Sequence, residues 1–379
     1  MFNAFLAIGL LGLSAMTWLF PVIARIYARR QGFLGKNNAQ TDPISRIAIV
    51  IPAHNEVRTL PKTLPSIVAS IEHLKKTHPG IQVDIRVGAD GCSDHTAELA
   101  RSFGAEVLES NPSRGKWKIV HEMIRASQNA DWIVLADSGI IWPQNFLSEC
   151  IPYCQQRGVI GVSPTYRNPS AGLVEKLIWN LECALKTLEN AAGGPVSVHG
   201  PTVMYRQTEL RTAFDALTSM GSTWINDDVA ISLFLRLTRP NGRIVYIPSV
   251  GSWDCPEAHL EAATGAPIRE FNRRKRMVLG NLQWMTAILK PNWHTNKVAS
   301  LIALRRIFRM LWAYWIAACV LAVAWMLGIS GFLILTVAGM IFGIIFLGKR
   351  PIQMLVDAGF VSLSAPYYLA SGQNLMRWK

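Results

Sequence analysis

The chain has 379 residues with 38 lysines and arginines against 25 acidic residues, a formal charge of +13, and half of its residues are hydrophobic. Only 17% are charged, below the roughly 25% of an ordinary soluble protein. Intrinsic disorder is excluded because it needs low hydrophobicity, and a wholly soluble enzyme fits poorly because the apolar residues are gathered in blocks.

The first block, Met1 to Ala24, carries no charge and is followed by Arg25, Arg29, Arg30 and Lys36. About 20 apolar residues are enough to span a bilayer as a helix. A cleaved signal would place its basic residues before the apolar run. Residues 1–24 are therefore expected to be an uncleaved transmembrane anchor, with a basic linker over 25–45 on the cytoplasmic side. Beyond it, strands are expected at 46–51 (RIAIVI), 83–87, 106–108 and 132–135. They alternate with helices at 57–76, from near Asp94, and at 117–127. That alternation indicates an α/β domain built on a mainly parallel sheet, in which ligands bind at the carboxyl ends of the strands. The strand ends are polar: Pro52-Ala53-His54-Asn55-Glu56, then Asp90 and Asp94, then Asp137-Ser138-Gly139. Asp94 serves equally well as a helix cap.

Residues 172–192 form an expected helix with Leu173, Leu177, Leu181 and Leu185 on one face, suited to a membrane surface or to core packing. Asp227 and Asp228 follow Asn226 ahead of VAISLFLRL. They read either as carboxylates whose mutual repulsion raises one pKa or as a helix N-terminus. Arg273, Arg274, Lys275 and Arg276 are four cations in a row. Arg273 and Arg276 share a helix face that suits phosphate oxygens, solvent or lipid headgroups. An interfacial helix is expected at 298–309. The run 310–348 has no charge and holds Gly328, Ser330 and Gly331 near its middle, the pattern of two transmembrane helices and a tight turn. Arg305, Arg306 and Arg309 precede that run and Lys349 and Arg350 follow it, so both ends are expected in the cytoplasm. A third apolar segment, 351–373, contains Asp357 and Pro366 and is re-entrant or spanning. The six cysteines show no metal-binding spacing, and a reduced state with no metal or disulfide role is expected. Many of the cations flank apolar segments, where they set topology and meet anionic lipid, so no nucleic-acid partner is expected.

Seven segments, in order and spacing, resemble the family 2 inverting glycosyltransferases of the GT-A fold, a Rossmann-like fold, and in particular membrane-bound bacterial polysaccharide and glycolipid synthases. They are IVIPAHNE, VGADGCSD, SRGKWK, VLADSGIIWP, GPTVMYR, NDDVAISLFL and REFNRRKRMVLGNLQ. The resemblance implies a glycosyltransferase domain over 46–297, a UDP-sugar donor and a saccharide or lipid-linked acceptor. It assigns Pro52, Ala53, His54, Asn55, Glu56 and Asp90 to the uracil and ribose, Lys116 to a cation near the nucleotide, and Arg273 and Arg276 to the pyrophosphate. Asp228, with Asp227 beside it, takes the place of the general base. Asp137 takes that of the Mg²⁺ or Mn²⁺ ligand. Gly139 stands where the family's second metal-binding Asp would be, which weakens the metal site or passes a ligand role to a residue such as His259. The family's Gln and Trp are replaced by Arg273 and Met277, which favours transfer of one or a few sugars. The alternatives are a processive polysaccharide synthase that also secretes its polymer, and a catalytically inactive scaffold binding nucleotide or glycan. The expected location is the cell (inner) membrane with the catalytic domain cytoplasmic, in contact with membrane lipids, and with an oligomer or an assembly-complex partner left open.

Overall fold

The computed structural model describes residues 2–30, 41–169, 172–221, 223–255, 267–347 and 349–370. Eight strands among them, β1 (Arg46–Ala53), β2 (Gln82–Asp90), β3 (Glu106–Ser110), β4 (Trp132–Ala136), β5 (Ile140–Ile141), β6 (Val159–Arg167), β7 (Thr202–Arg206) and β8 (Arg243–Asp254), form one sheet of order β3-β2-β1-β4-β7-β6-β8-β5. β1 runs parallel to both β2 and β4. Its run Ile47 to Ile51 is buried throughout, because both faces of the sheet are covered and no polar alternation is needed. Ile47, Ile49 and Ile51 face one core with Leu60, Leu64 and Ile67. Ala48 and Val50 face the other, with Trp117, Ile119 and Val120.

The first four strands lie where the sequence placed them and extend a few residues further. β7 departs from the expected pattern: it runs antiparallel between β4 and β6, and β5 is antiparallel to β8. The sheet is therefore mixed. This reversal brings the turn before β7 beside the end of β4, where the Asp137 amide donates to the Pro201 carbonyl at 3.0 Å.

The helices are α1 (Phe2–Met16), α2 (Leu19–Arg30), α3 (Leu60–Thr77), α4 (Thr96–Ser102), α5 (Lys116–Ala126), α6 (Phe146–Cys154), α7 (Leu173–Asn190), α8 (Gln207–Met220) and α9 (Asp227–Thr238). Helices Pro267–Trp284, Lys297–Met310, Trp312–Leu347, Lys349–Leu363 and Ala365–Ala370 follow. α3 begins at Leu60 and not at 57, with a proline in its first turn, where the missing N–H costs nothing.

The two apolar ends of the chain pack together. A Cβ on Gly9 would lie 2.3 Å from the Cys319 sulfur, and one on Gly12 would lie 2.2 Å from the Trp315 ring. These glycines therefore let α1 approach helix Trp312–Leu347 closely. That long helix breaks at Gly328, whose φ of 68° and ψ of 173° are not helical, at the position expected for the turn. No single described helix is long and apolar enough to cross a membrane. Two bent pairs reach that length and composition together: Asn3–Met16 with Leu19–Arg30, at 59°, and Lys297–Met310 with Trp312–Gly328, at 60°.

Helix Lys297–Met310 lies one residue from its expected start, but its arginines have partners that the charge pattern did not foresee. Arg305 is 1% exposed and pairs with both Glu182 and Glu189 of α7. Arg309 pairs with Glu182 at 2.6 Å. α7 is accordingly inverted in polarity: its ions face inward, while Leu173, Leu177 and Leu181 are 76%, 60% and 50% exposed. Leu185 alone of the expected stripe is buried.

Candidate active site

The end of β4, the start of α5, the turn before β7 and the start of α9 converge on one cavity lined by Pro52, Lys116, Asp137, Gly200, Asp227 and Asp228. Lys116 is the first residue of α5, after Gly115 with φ of 89°, a conformation that glycine adopts without penalty. Its ammonium lies 3.0 Å from Asp137 and 3.3 Å from Asp227. Asp137 first, and then Asp227, hold that ammonium well above its ordinary pKa. Burial raises the Asp137 carboxyl; Lys116 pulls it down, and Asp227 and Asp254 push it further up. The net shift is upward.

Asp228 occupies the second position of α9, with its Cβ 3.7 Å from where a Cβ on Gly200 would stand. Among the described residues no group donates a hydrogen bond to its carboxylate. Burial raises its pKa, the Arg306 guanidinium opposes the shift, and Asp227 adds to it, leaving the group above the usual carboxylate value. The Asp227 carboxylate accepts from the Asp228 amide at 3.0 Å. Asn226 occupies the N-cap position of this helix, but its side chain makes no capping hydrogen bond. Its side chain instead donates to the Met277 carbonyl at 3.1 Å and to Asn281 at 3.0 Å, and Gln283 bonds to Ile225 and Thr223. The start of α9 is thus fastened to helix Pro267–Trp284.

Gly280 permits this contact, since a Cβ there would lie 2.6 Å from the Asn226 side chain. Gly280→Ala gains about 1 kcal/mol of helix propensity against ~1–3 kcal/mol of overpacking, so the melting midpoint will stay or fall by the equivalent of at most about 2 kcal/mol. Activity should fall about tenfold or more if Asp227 and Asp228 take part in the reaction, because the displaced Asn226 directly precedes them and small misplacements of reacting groups are costly. Parallel melting and steady-state measurements check both halves of this expectation.

A wider cavity of about 410 Å³ adjoins the first, sharing Pro52, Lys116 and Asp137 with it and adding Ala53, His54, Glu56, Asp90 and Asp254. Four of the five residues 52–56 therefore line it. Asn55, with φ of 57°, is exposed and accepts from the Ser93 amide at 2.8 Å, so it fastens the loop after β2. His54 Nδ1 lies 2.6 Å from the Asp90 carbonyl. Asp90 has both carboxylate oxygens engaged, by Ser110, Ser113 and the amides of Arg114 and Gly115, three of these at 2.7 Å. Burial raises its pKa, but the hydrogen bonds outweigh burial and hold it below the ordinary value. In this structure Asp90 shapes the loop that delivers Lys116 and does not present a free carboxylate.

Arg276 is exposed and lines neither cavity. The Arg273 side chain and all of His259 lie outside the described residues. No group of three or more metal-ligating side chains is found among the described residues. Asp254 was missed at the sequence level, although it ends β8 as Asp90 ends β2. It stands opposite Ile140 in the β5–β8 pair, next to the position where Gly139 lacks a carboxylate.

A family model described as glycosyltransferase like family 2 matches residues 44–272, and the chain belongs to that family of sugar-transferring enzymes. Among solved structures it is similar to the mannosyltransferase PcManGT from Pyrobaculum calidifontis in complex with GDP-Man and Mn²⁺. The TM-score is 0.66 at 16% identity, covering 98% of this chain and 100% of that one; the likeness is one of fold and makes this an α/β GT-A-like domain. Glucosyl-3-phosphoglycerate synthase from Mycobacterium tuberculosis, in complex with Mn²⁺, UDP and phosphoglyceric acid, matches at TM-score 0.40 and 21% identity, over 57% of this chain and 74% of that one. No curated protein matches the chain in sequence.

Proposed function

We propose that this glycosyltransferase moves a sugar, with inversion, from a nucleoside-diphosphate sugar to a saccharide or lipid-linked acceptor at the cytoplasmic face of the cell membrane. The observation that carries the reading is the convergence of Lys116, Asp137, Asp227 and Asp228 at the carboxyl end of the sheet, beside the wide cavity. The nucleotide sugar would fill the wide cavity with its diphosphate towards Lys116. An acceptor hydroxyl would attack the anomeric carbon from the opposite face. The bond from that carbon to the diphosphate oxygen breaks, the diphosphate leaves with the electron pair, and Asp228 takes the hydroxyl proton. UDP is the donor nucleotide implied by the sequence motifs, and GDP is the one in the P. calidifontis structure.

The donor set fits a hard divalent ion such as Mg²⁺ or Mn²⁺, because Asp137 and Asp254 are mutually repelling carboxylates and such ions take oxygen ligands. Asp137 would hold the ion with Asp254, and when bound it would neutralise charge growing on the leaving diphosphate. Exposed Leu173, Leu177 and Leu181 on α7 and the two bent apolar helix pairs support work at a bilayer.

The test is nucleoside-diphosphate release by the full chain in detergent, over UDP- and GDP-sugars, with Mg²⁺ or Mn²⁺ and membrane lipid extract. Release from at least one donor is expected. In Asp137→Asn the metal concentration for half-maximal rate should rise at least ~10-fold, the lower size of effect seen when even an outer partner of a ligand is lost. Absence of release with every donor would overturn the reading.

A further inference from the structure

Helices Pro267–Trp284, Lys297–Met310 and Lys349–Leu363 meet around a separate cavity of about 130 Å³. Its wall includes Met277, Met310 and Val361; among the described residues its cations are Arg306 and Arg309, and no carboxylate lines it. Glu182 engages Arg309 from behind. Arg306 donates one hydrogen bond to the Ser197 hydroxyl, while its buried Nε has no partner. Ser197 precedes Val198, whose amide donates to the Asp228 carbonyl at 3.4 Å. The Arg306 guanidinium thus connects this cavity, through Ser197 and Val198, to the backbone of Asp228.

We propose that this cavity is the acceptor subsite and takes the phosphate of an anionic membrane lipid whose headgroup hydroxyl reaches Asp228. The proposal rests on the glycosyltransferase reading of the preceding cavity. Arginine forks match phosphate oxygens, and the apolar wall gives the acyl chains a surface that a free phosphate does not need. The cavity also sits at Met310 and Trp312, where one of the two bent apolar pairs has its break. A lipid entering there keeps its chains beside apolar helices and its headgroup towards the sheet. Arg306 pairs with the phosphate and keeps the headgroup in line with Asp228.

The experiment is calorimetric binding of dihexanoyl-phosphatidylglycerol, below its micelle concentration, to the detergent-solubilised full chain. Dihexanoylglycerol, which lacks the phosphate, and glycerol phosphate, which lacks the chains, are the comparison probes. The phospholipid should bind at least about tenfold more tightly than either. Arg306→Gln should weaken it about tenfold by removing the charge, and Ala358→Trp should weaken it as much by filling the cavity with the charge intact. Nucleoside-diphosphate binding should be unchanged in both variants, which also shows that they fold. Equal binding of dihexanoylglycerol, equal binding of glycerol phosphate, or indifference to both variants would each overturn the proposal. Failure of the wild-type chain to bind any nucleotide, with lipid binding as expected, would overturn the donor reading and leave the lipid site standing.

Discussion

Asp228→Asn will lower sugar transfer by two to four orders of magnitude, the range for loss of a positioned general base, and will leave nucleoside-diphosphate affinity within about twofold. The amide keeps the shape of the side chain but cannot accept the proton. Asp228 lines the narrower cavity and not the wide one, so donor affinity is spared. The pH dependence makes this specific. Burial holds the Asp228 carboxyl above its ordinary value, and a base works only when ionised. The rate will therefore fall as pH drops through that raised pKa, at a pH where an ordinary carboxylate would still be ionised. A group whose folded pKa is raised binds more protons in the folded state, so its ionisation costs stability as pH rises above the unfolded value. Removing the charge should leave the melting midpoint at neutral pH unchanged or higher. A loss of rate accompanied by a loss of stability would argue that Asp228 is structural.

Arg305→Met will destabilise the protein by about 3–5 kcal/mol, the cost of stripping a buried ion pair of one partner. That is a large part of the roughly 5–15 kcal/mol that holds a typical domain together. Arg305 and Glu189 are each 1% exposed, and Glu182 accepts two further bonds from Arg305 at 3.0 Å. Without the guanidinium, Glu182 keeps Lys186 and Arg309 beside it, while Glu189 loses the ion pair that it makes. Adding Glu182→Gln and Glu189→Gln to Arg305→Met should recover most of the loss, since the uncompensated charges are then gone. Denaturant titrations of the single and triple variants in the same detergent provide the comparison.

The parts of the fold that could be read from the chain were those whose information is local. β1 and β4 are buried on both faces, so each is a continuous apolar run followed by polar residues; β2 carries Asp84 and Arg86 within it but also ends in a carboxylate, and the site lay at those ends. The antiparallel course of β7 is set by which strand it joins, and GPTVMYR carries no mark of direction. α7 gave its leucine spacing correctly, but period alone does not say whether a stripe faces a core or the outside. Arg305, Arg306 and Arg309 were counted as charges flanking an apolar block, because their partners lie more than 100 residues earlier. Asp90 was legible as a strand-end carboxylate. Its engagement by Ser110, Ser113, Arg114 and Gly115 depends on how the loop after β3 folds back. Asp254 and Arg306 reach the site from late in the chain through β8 and helix Lys297–Met310, and only the tertiary fold joins them to Asp137 and Asp228.

The inverted polarity of α7 separates two properties that usually fail together. Its ionic face anchors the fold through Arg305, and its leucine face takes no part in that anchoring. Residues 173, 177 and 181 can therefore be recoded as Glu, Lys or Gln to suit water, without entering the network that positions Arg306 and Asp228. In the bilayer setting proposed above, the same face, kept apolar, would act as a keel: its depth would fix the height at which the reaction centre meets a lipid headgroup. Lengthening or shortening that apolar stretch would tune which headgroups come within reach, with the chemistry left untouched.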